Sequence, residues 1–385
     1  MGRISREISG APDFELGLKR TSPVAYHCTL PAGTAKGLIF VIPGFGEDAA
    51  AEYNEILRRY LSGRYGLAAV SVAYHASQAR PPAARIDLST ESVRQAIGHL
   101  AANKIRFNVR PNSVDAFLAE LGRLETPIRI AAKLIPPNGD YQNFGVMQAL
   151  DHICVLNDIL DSGIAFDRNN ILLLGSSHGA YIAHLIHKFA PNTINAIIDN
   201  SGYAIPVAQY LGSRPEYYHA IGNLTLACNI ITRWDLTDSY SSTFFGPARY
   251  AIRDVSNPGH LAEDASKTRR PCLFRMLNSC CDPISPLEQK QAQLRALQSN
   301  GFDAELRIIG EQDLDGKIFK SLGHGLGASL SGLFDLYADS LTARPTIIDR
   351  ELRTSLSFAC YDRTYSIRHS DTKPYLDASC ERILA

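Results

Sequence analysis

The pentapeptide Gly175-Ser176-Ser177-His178-Gly179 fits the pattern G-x-S-x-G. Serine is a weak nucleophile until a neighbouring base takes its proton, and its attack on an acyl carbonyl needs donors for the oxyanion that develops. The pentapeptide directly follows the apolar run Ile171–Leu174 and opens a helical pattern from His178 to Phe189. A strand-to-helix turn this tight strains its central residue and projects the side chain above a sheet. Gly175 and Gly179 are required where strand and helix pack too closely for a Cβ. A glycine turn with a surface serine would carry the same five letters. The setting between strand and helix is what singles out Ser177 as a nucleophile.

A base for that serine is expected on a loop after the last strand, and Gly323-His324-Gly325 lies there. His178 is close in sequence, but as the residue after the nucleophile it is expected to offer its backbone N–H rather than its imidazole. An acid that orients His324 should follow the preceding strand, where Ser279-Cys-Cys-Asp282-Pro-Ile284 stands. Asp282 could accept Nδ1–H of His324, fix its tautomer and stabilise the imidazolium. It would equally suit a helix N-cap before Pro286. Asp313 and Asp315 are the alternative acids, although they lie beyond the last strand. The oxyanion hole is expected from the backbone N–H groups of Phe45, in Pro43-Gly-Phe-Gly-Glu-Asp48, and of His178. A plain strand-to-helix turn is the other use of that glycine-rich stretch.

These residues need strand ends to hold them. Short β-branched runs alternate with helical patterns, which implies a mostly parallel sheet covered on both faces. Val24–Leu30 reads as an edge strand, and Gly37–Ile42, Leu67–Ala73, Asn170–Leu174, Asn195–Asp199, Pro271–Leu277 and Ala304–Ile309 as buried ones. Ala51–Leu61, Tyr141–Leu160, His178–Phe189, Pro286–Leu297 and Gly325–Leu341 read as helices. Two stretches break the pattern. Residues 75–140 are bracketed by Pro81-Pro82 and Pro136-Pro137 and carry two amphipathic segments, Ser89–Lys104 and Ser113–Leu124. Residues 201–270 are irregular and rich in aromatics, among them Tyr203, Tyr217, Tyr218, Trp234 and Tyr240. Both are expected to be insertions forming a lid on a catalytic domain of residues 1–341. The aromatics would pack or bind sugar faces or an acyl chain. Residues 342–385 form an extension of unassigned role, an edge strand, a dimer contact or a flap.

The 385 residues, 45% of them hydrophobic, suffice for a large core. Lysine plus arginine equals aspartate plus glutamate, 39 each, with no long run of one sign. That argues against a nucleic-acid partner. No leader is expected from the first residues, and no apolar run is long enough for a bilayer, so a cytoplasmic location with no membrane contact is expected. The eight cysteines include no CxxC and read most simply as buried thiols. His184 and His187 are three apart without an HExxH, so no metal is expected there. The sequence implies no cofactor and leaves a homo-oligomer open.

With Gly44-Phe45-Gly46, Gly175 to Gly179, Asp282 and His324 in that order, residues 24–341 resemble the α/β-hydrolase superfamily. Pro43 stands where many members have histidine. The resemblance implies an α/β-hydrolase fold and a serine hydrolase, an esterase or deacylase. Tyr141-Gln-Asn-Phe-Gly-Val-Met-Gln-Ala-Leu-Asp151 and Gly175–Tyr181 further resemble an uncharacterised bacterial family found in gene clusters for flagellin glycosylation and nonulosonic acid sugars. This implies a carbohydrate-linked acyl ester or amide as substrate, a small-molecule acyl ester or acylated sugar. An acyltransferase would use the same residues, a peptidase is compatible with the fold, and a binding module without catalysis is the reading from another class.

Overall fold

The run Leu38–Ile42 has no polar side chain, and such a strand is stable where both of its faces are covered. In the computed structural model, which describes residues 2–105, 113–212, 214–268, 272–342, 354–370 and 376–383, it lies inside an eight-stranded sheet. In chain order the elements are β1 (Gly2–Ser9), β2 (Pro23–Leu30), β3 (Leu38–Ile42), α1 (Glu52–Tyr65), β4 (Ala68–Ala73), β5 (Arg85–Asp87), α2 (Thr90–Ala102), α3 (Val114–Gly122) and β6 (Ile128–Ile135). They continue with α4 (Val146–Asp161), β7 (Ile171–Ser176), α5 (His178–Phe189), β8 (Ala196–Asn200), β9 (Tyr217–Ile221), β10 (Leu224–Ile230), α6 (Pro247–Arg253), α7 (Pro258–Lys267) and β11 (Leu273–Ser279). The last are α8 (Leu287–Ser299), β12 (Asp303–Ile309), α9 (Leu330–Thr342), β13 (Thr354–Cys360), β14 (Arg363–His369) and β15 (Leu376–Arg382). Contacts divide the chain into two compact units, one of residues 1–77, 144–206 and 245–385, the other of residues 78–143 and 207–244.

The first unit holds the large sheet, in the order β1-β2-β4-β3-β7-β8-β11-β12. β2 pairs antiparallel with both neighbours, and all pairs from β4 to β12 are parallel. After β3 the chain steps to β4 on one side and later to β7 on the other. That reversal opens a crevice at the carboxyl ends of β3 and β7, where open α/β sheets bind ligands. Side chains alternate across the sheet. Ile39, Val41, Leu172 and Leu174 share one core with Leu57 and Leu61 of α1 and Leu333 and Phe334 of α9. On the other face Phe40 meets His152 of α4 edge-on, and Phe274 of β11 stacks on His184 of α5. This is an α/β-hydrolase fold.

Several boundaries differ from the sequence reading, each for a local reason. β2 is not an edge strand, because β1 flanks it. β1 is mostly exposed and polar and so carries no hydrophobic signal. α4 starts at Val146 rather than Tyr141, because Phe144 (φ 64°) and Gly145 (φ 107°) are in left-handed conformations that no α-helix contains. α9 likewise starts at Leu330 and not at Gly325, since residues 325–327 all have positive φ. Pro271, expected to open β11, is outside the described residues.

The second unit is a four-stranded sheet, β5-β6-β10-β9, with α2 and α3. β6 buries Ile128, Ile130, Ala132 and Leu134 in strict alternation. The serines at 89 and 113 cap α2 and α3 by accepting the N–H groups of Ser92 and Ala116. Several of its aromatics are engaged within the unit: the guanidinium of Arg80 covers Tyr217, that of Arg129 covers Tyr218, and Tyr141 packs edge-on against Trp234. Tyr240 is 97% exposed. Residues 245–268, expected in the second insertion, belong to the first unit, where α6 and α7 pack on β13.

Of the extension at 342–385, residues 343–353, 371–375, 384 and 385 are outside the described residues. The rest forms an antiparallel three-stranded sheet, β13-β14-β15. A buried ion pair ties it down. Glu15 takes two bonds from the Arg253 guanidinium, at 2.9 and 2.5 Å, and a third from the Tyr365 hydroxyl of β14 at 3.0 Å. Such a pair adds little net stability over apolar packing, but losing one partner strands a buried charge.

Candidate active site

β7 delivers Ser177 to the crevice. The serine has φ 54° and ψ −120°, a left-handed conformation rare for a side-chain-bearing residue. Its N–H is anchored on the Asn200 carbonyl at 2.7 Å. Both elbow glycines are sterically required. A Cβ on Gly175 would lie 2.5 Å from the Ala180 backbone, and one on Gly179 would lie 2.0 Å from the Ile42 carbonyl oxygen.

Ser177 Oγ is 2.6 Å from His324 Nε2, and His324 Nδ1 is 2.8 and 3.0 Å from the two oxygens of Asp282. Facing a carboxylate, Nδ1 carries the proton, so Nε2 accepts from the serine hydroxyl. The Asp282 side chain is fully buried and that of His324 is 16% exposed. Burial pushes the Asp282 carboxyl up. The hydrogen bond and charge of His324, with the N–H groups of Ser285 and Ile284, outweigh this and hold it below the ordinary carboxylate range. Asp282 therefore caps the following turn and meets His324 at once, although Pro286 occupies the N-cap of α8. Asp313 and Asp315 are occupied elsewhere. Asp313 binds Arg307 and the Gly310 N–H, and Asp315 accepts the N–H groups of residues 317–319.

Three residues to which the sequence reading gave no part in this geometry hold it together. Asn200, at the end of β8, donates to Ser176 Oγ and to the Gly325 carbonyl, both at 3.0 Å, joining the serine turn to the histidine loop. Ser279 donates to the Leu322 carbonyl at 2.7 Å, joining the acid loop to the same histidine loop. Tyr203 lies parallel to the His324 ring, with centroids 6.5 Å apart, and its hydroxyl is 3.1 Å from His178 Nδ1. Each pairs residues distant in the chain, which a single sequence does not reveal.

His178 has its imidazole turned inward, with Nε2 2.9 Å from Gln148 Oε1, and burial pushes its pKa down to about 3, so the ring stays neutral. Its backbone N–H belongs to the first turn of α5, whose amides have no intrahelical partner. The loop after β3 runs alongside. The Cβ position of Gly44 is 3.8 Å from Ser177 Cβ, and the rings of Phe45 and His178 meet edge-on. The motif around residue 148 thus reaches the serine turn through Gln148. Its Asp151 is paired instead with Arg20, at 2.5 Å.

His184 and His187 are both buried. His184 bonds Asp199 at 2.8 Å, and among the described residues no group of three or more His, Cys, Asp and Glu side chains is arranged to hold a metal. Cys28, Cys228, Cys272 and Cys360 are buried thiols, whereas Cys280 and Cys281 are exposed, contrary to expectation. Their place in a turn beyond the end of β11 accounts for that. Among the described residues no helix is long and apolar enough to cross a membrane.

The chain has the α/β-hydrolase fold. It belongs to the family described as "Protein of unknown function (DUF2920)", whose model matches residues 4–377. No curated protein matches it. Among solved structures it is similar to a puromycin-hydrolyzing peptidase of Mycobacterium tuberculosis, at 16% identity and TM-score 0.45 over 88% of this chain and 39% of that one. The acylaminoacyl peptidase of Pyrococcus horikoshii matches at 13% identity and TM-score 0.47, over 90% of this chain and 43% of that one. Thermogutta terrifontis esterase 2 matches at 11% identity and TM-score 0.45, over 89% of this chain and 97% of that one. The chain spans about two fifths of the length of the two peptidases. At these identities and scores the likeness decides nothing about activity.

Proposed function

We propose that this protein is a serine hydrolase acting on an acyl ester, with Ser177 as nucleophile, His324 as general base and Asp282 as the orienting acid. The observation that carries the reading is the hydrogen-bonded chain from Asp282 through His324 to a serine strained on a strand-to-helix turn. Ser177 Oγ attacks the acyl carbon as its proton passes to His324 Nε2. The backbone N–H groups of Phe45 and His178 hold the oxyanion, each typically contributing about 3–4 kcal/mol to the transition state. His324 then protonates the leaving alcohol, and water, deprotonated by the same imidazole, releases the acid.

The resemblance of residues 141–151 and 175–181 supports a finer reading, that the ester is borne by a carbohydrate such as a nonulosonic acid. The test is intact mass after treatment with a fluorophosphonate. One adduct is expected on the wild type and none on Ser177→Ala. Absence of an adduct on folded wild-type protein overturns the reading in favour of a binding module. Sugar O-acyl esters, offered with and without sugar acceptors, then separate hydrolysis from acyl transfer.

A further inference from the structure

Cys280 and Cys281 are neighbours in sequence, both exposed, and immediately precede Asp282. We propose that they form a dithiol modification site, closing to a disulfide that displaces Asp282 from His324. The inference rests on the triad reading above.

The contacts converge on this pair. The two cysteines occupy the turn that follows β11. The Cys281 N–H donates to Ser279 Oγ at 3.2 Å, and its thiol lies 3.6 Å from that oxygen and 3.9 Å from the Leu322 carbonyl. Ser279 in turn holds Leu322, two residues before His324. The pair therefore sits on the strap that keeps the acid loop against the base loop.

Adjacent Cα atoms are about 3.8 Å apart, less than the roughly 4.4–6.8 Å that an unstrained disulfide spans. Closing the ring must rotate the 280–281 backbone, and Asp282 is the next residue. A disulfide both strained and exposed is readily reduced, which is the property of a reversible site. The oxidant is a small-molecule disulfide. One thiolate attacks it, forming a mixed disulfide and releasing one thiol. The second cysteine displaces the other thiol as the 280–281 bond forms, so two electrons and two protons leave the protein.

The test exposes the whole chain to oxidised glutathione and maps its peptides without reduction. A peptide lighter by two hydrogen atoms and bridged between Cys280 and Cys281 is expected. In that state the Ser177 labelling rate should fall on the order of 100-fold, the cost of an ångström-scale misplacement of a catalytic group. Dithiothreitol should restore it, and Cys280→Ser should be insensitive. The His324 imidazole resonances, followed by NMR, should shift on oxidation whether or not Ser177 labels, which separates this proposal from the hydrolase reading. No 280–281 bridge, or a bridge that leaves the His324 resonances unmoved, overturns it.

Discussion

The first unit contains two carboxylate–histidine pairs of the same length and opposite character. Asp282 and His324 are 2.8 Å apart at the crevice, with the imidazole 16% exposed and a serine on its far side. Asp199 and His184 are also 2.8 Å apart, but both are buried and Lys290 Nζ stands 2.5 Å from the same Asp199 oxygen. Gln293 is 2.8 Å from that ammonium and 3.3 Å from His184 Nδ1, closing the cluster. Burial pushes the Asp199 carboxyl up. The Lys290 charge and the His184 hydrogen bond more than reverse this, holding it well below its ordinary range, while burial lowers His184. A histidine that faces both a carboxylate and an ammonium in the dark of the core has no proton to exchange with a substrate. The difference between the pairs is one of access and third partner, not of pair geometry.

The strongest way to break this comparison is to neutralise each carboxylate. Asp282→Asn should lower turnover about 10⁴-fold by leaving His324 in the wrong tautomer. Its effect on stability should be small, since an asparagine carbonyl still accepts from Ile284 and Ser285. Asp199→Asn should do the reverse. It strands the Lys290 ammonium and should cost about 3–5 kcal/mol of stability, with labelling per folded molecule unchanged. Denaturant melts and fluorophosphonate rates on both variants check this. Adding Lys290→Met to Asp199→Asn should recover part of the loss, because the stranded charge is gone. A double variant no more stable than the single would mean that the pair is not coupled.

Legibility divides along the same line. Ser177, His324 and Asp282, which the fold brings into one hydrogen-bonded chain, each sit in a short pattern at a predicted strand end. The parallel strands were legible as dense apolar runs. The alternation of β6 is present in Ile128-Arg-Ile-Ala-Ala-Lys-Leu-Ile135, but the sequence reading of residues 75–140 names only the two amphipathic segments there. β1 pairs with the next strand but is polar and exposed and so carries no apolar signal, whereas Asn200, Tyr203 and Lys290 depend on partners far away in the chain. What a single sequence withholds is the set of long-range polar bonds that leaves one His–Asp pair facing a serine and closes the other with Lys290.

A second comparison lies between the units, in how their stability answers to pH. In the first, burial lowers His152 to about 4 and His178 and His187 to about 3, so unfolding lets each take up a proton below its ordinary 6.5. Their contribution is complete above pH 6.5 and is lost as pH falls through the folded values. In the second, burial raises the Glu216 carboxyl to about 8 from 4.5, against the lowering effect of its hydrogen bonds from the Ile230 N–H and the Gln142 amide. The folded state holds the extra proton between those values, so stability from this group falls as pH rises from 4.5 to 8. Melting temperature against pH should therefore drop on both sides, and Glu216→Gln should flatten the alkaline side while steepening the rise between pH 4.5 and 6.5, where its trend opposes that of the histidines.

The smallest expected effect tests what fixes His324. Tyr203 faces His324 with its ring and His178 with its hydroxyl, so two contributions are separable. Tyr203→Phe keeps the ring and removes one hydrogen bond. That should cost about 1 kcal/mol, roughly fivefold in rate. Tyr203→Leu also removes the parallel face and should slow Ser177 labelling further while leaving the Asp199 cluster untouched. If Phe slows the reaction as much as Leu, the hydroxyl and its link to His178 hold the site, and the stacked face is packing alone.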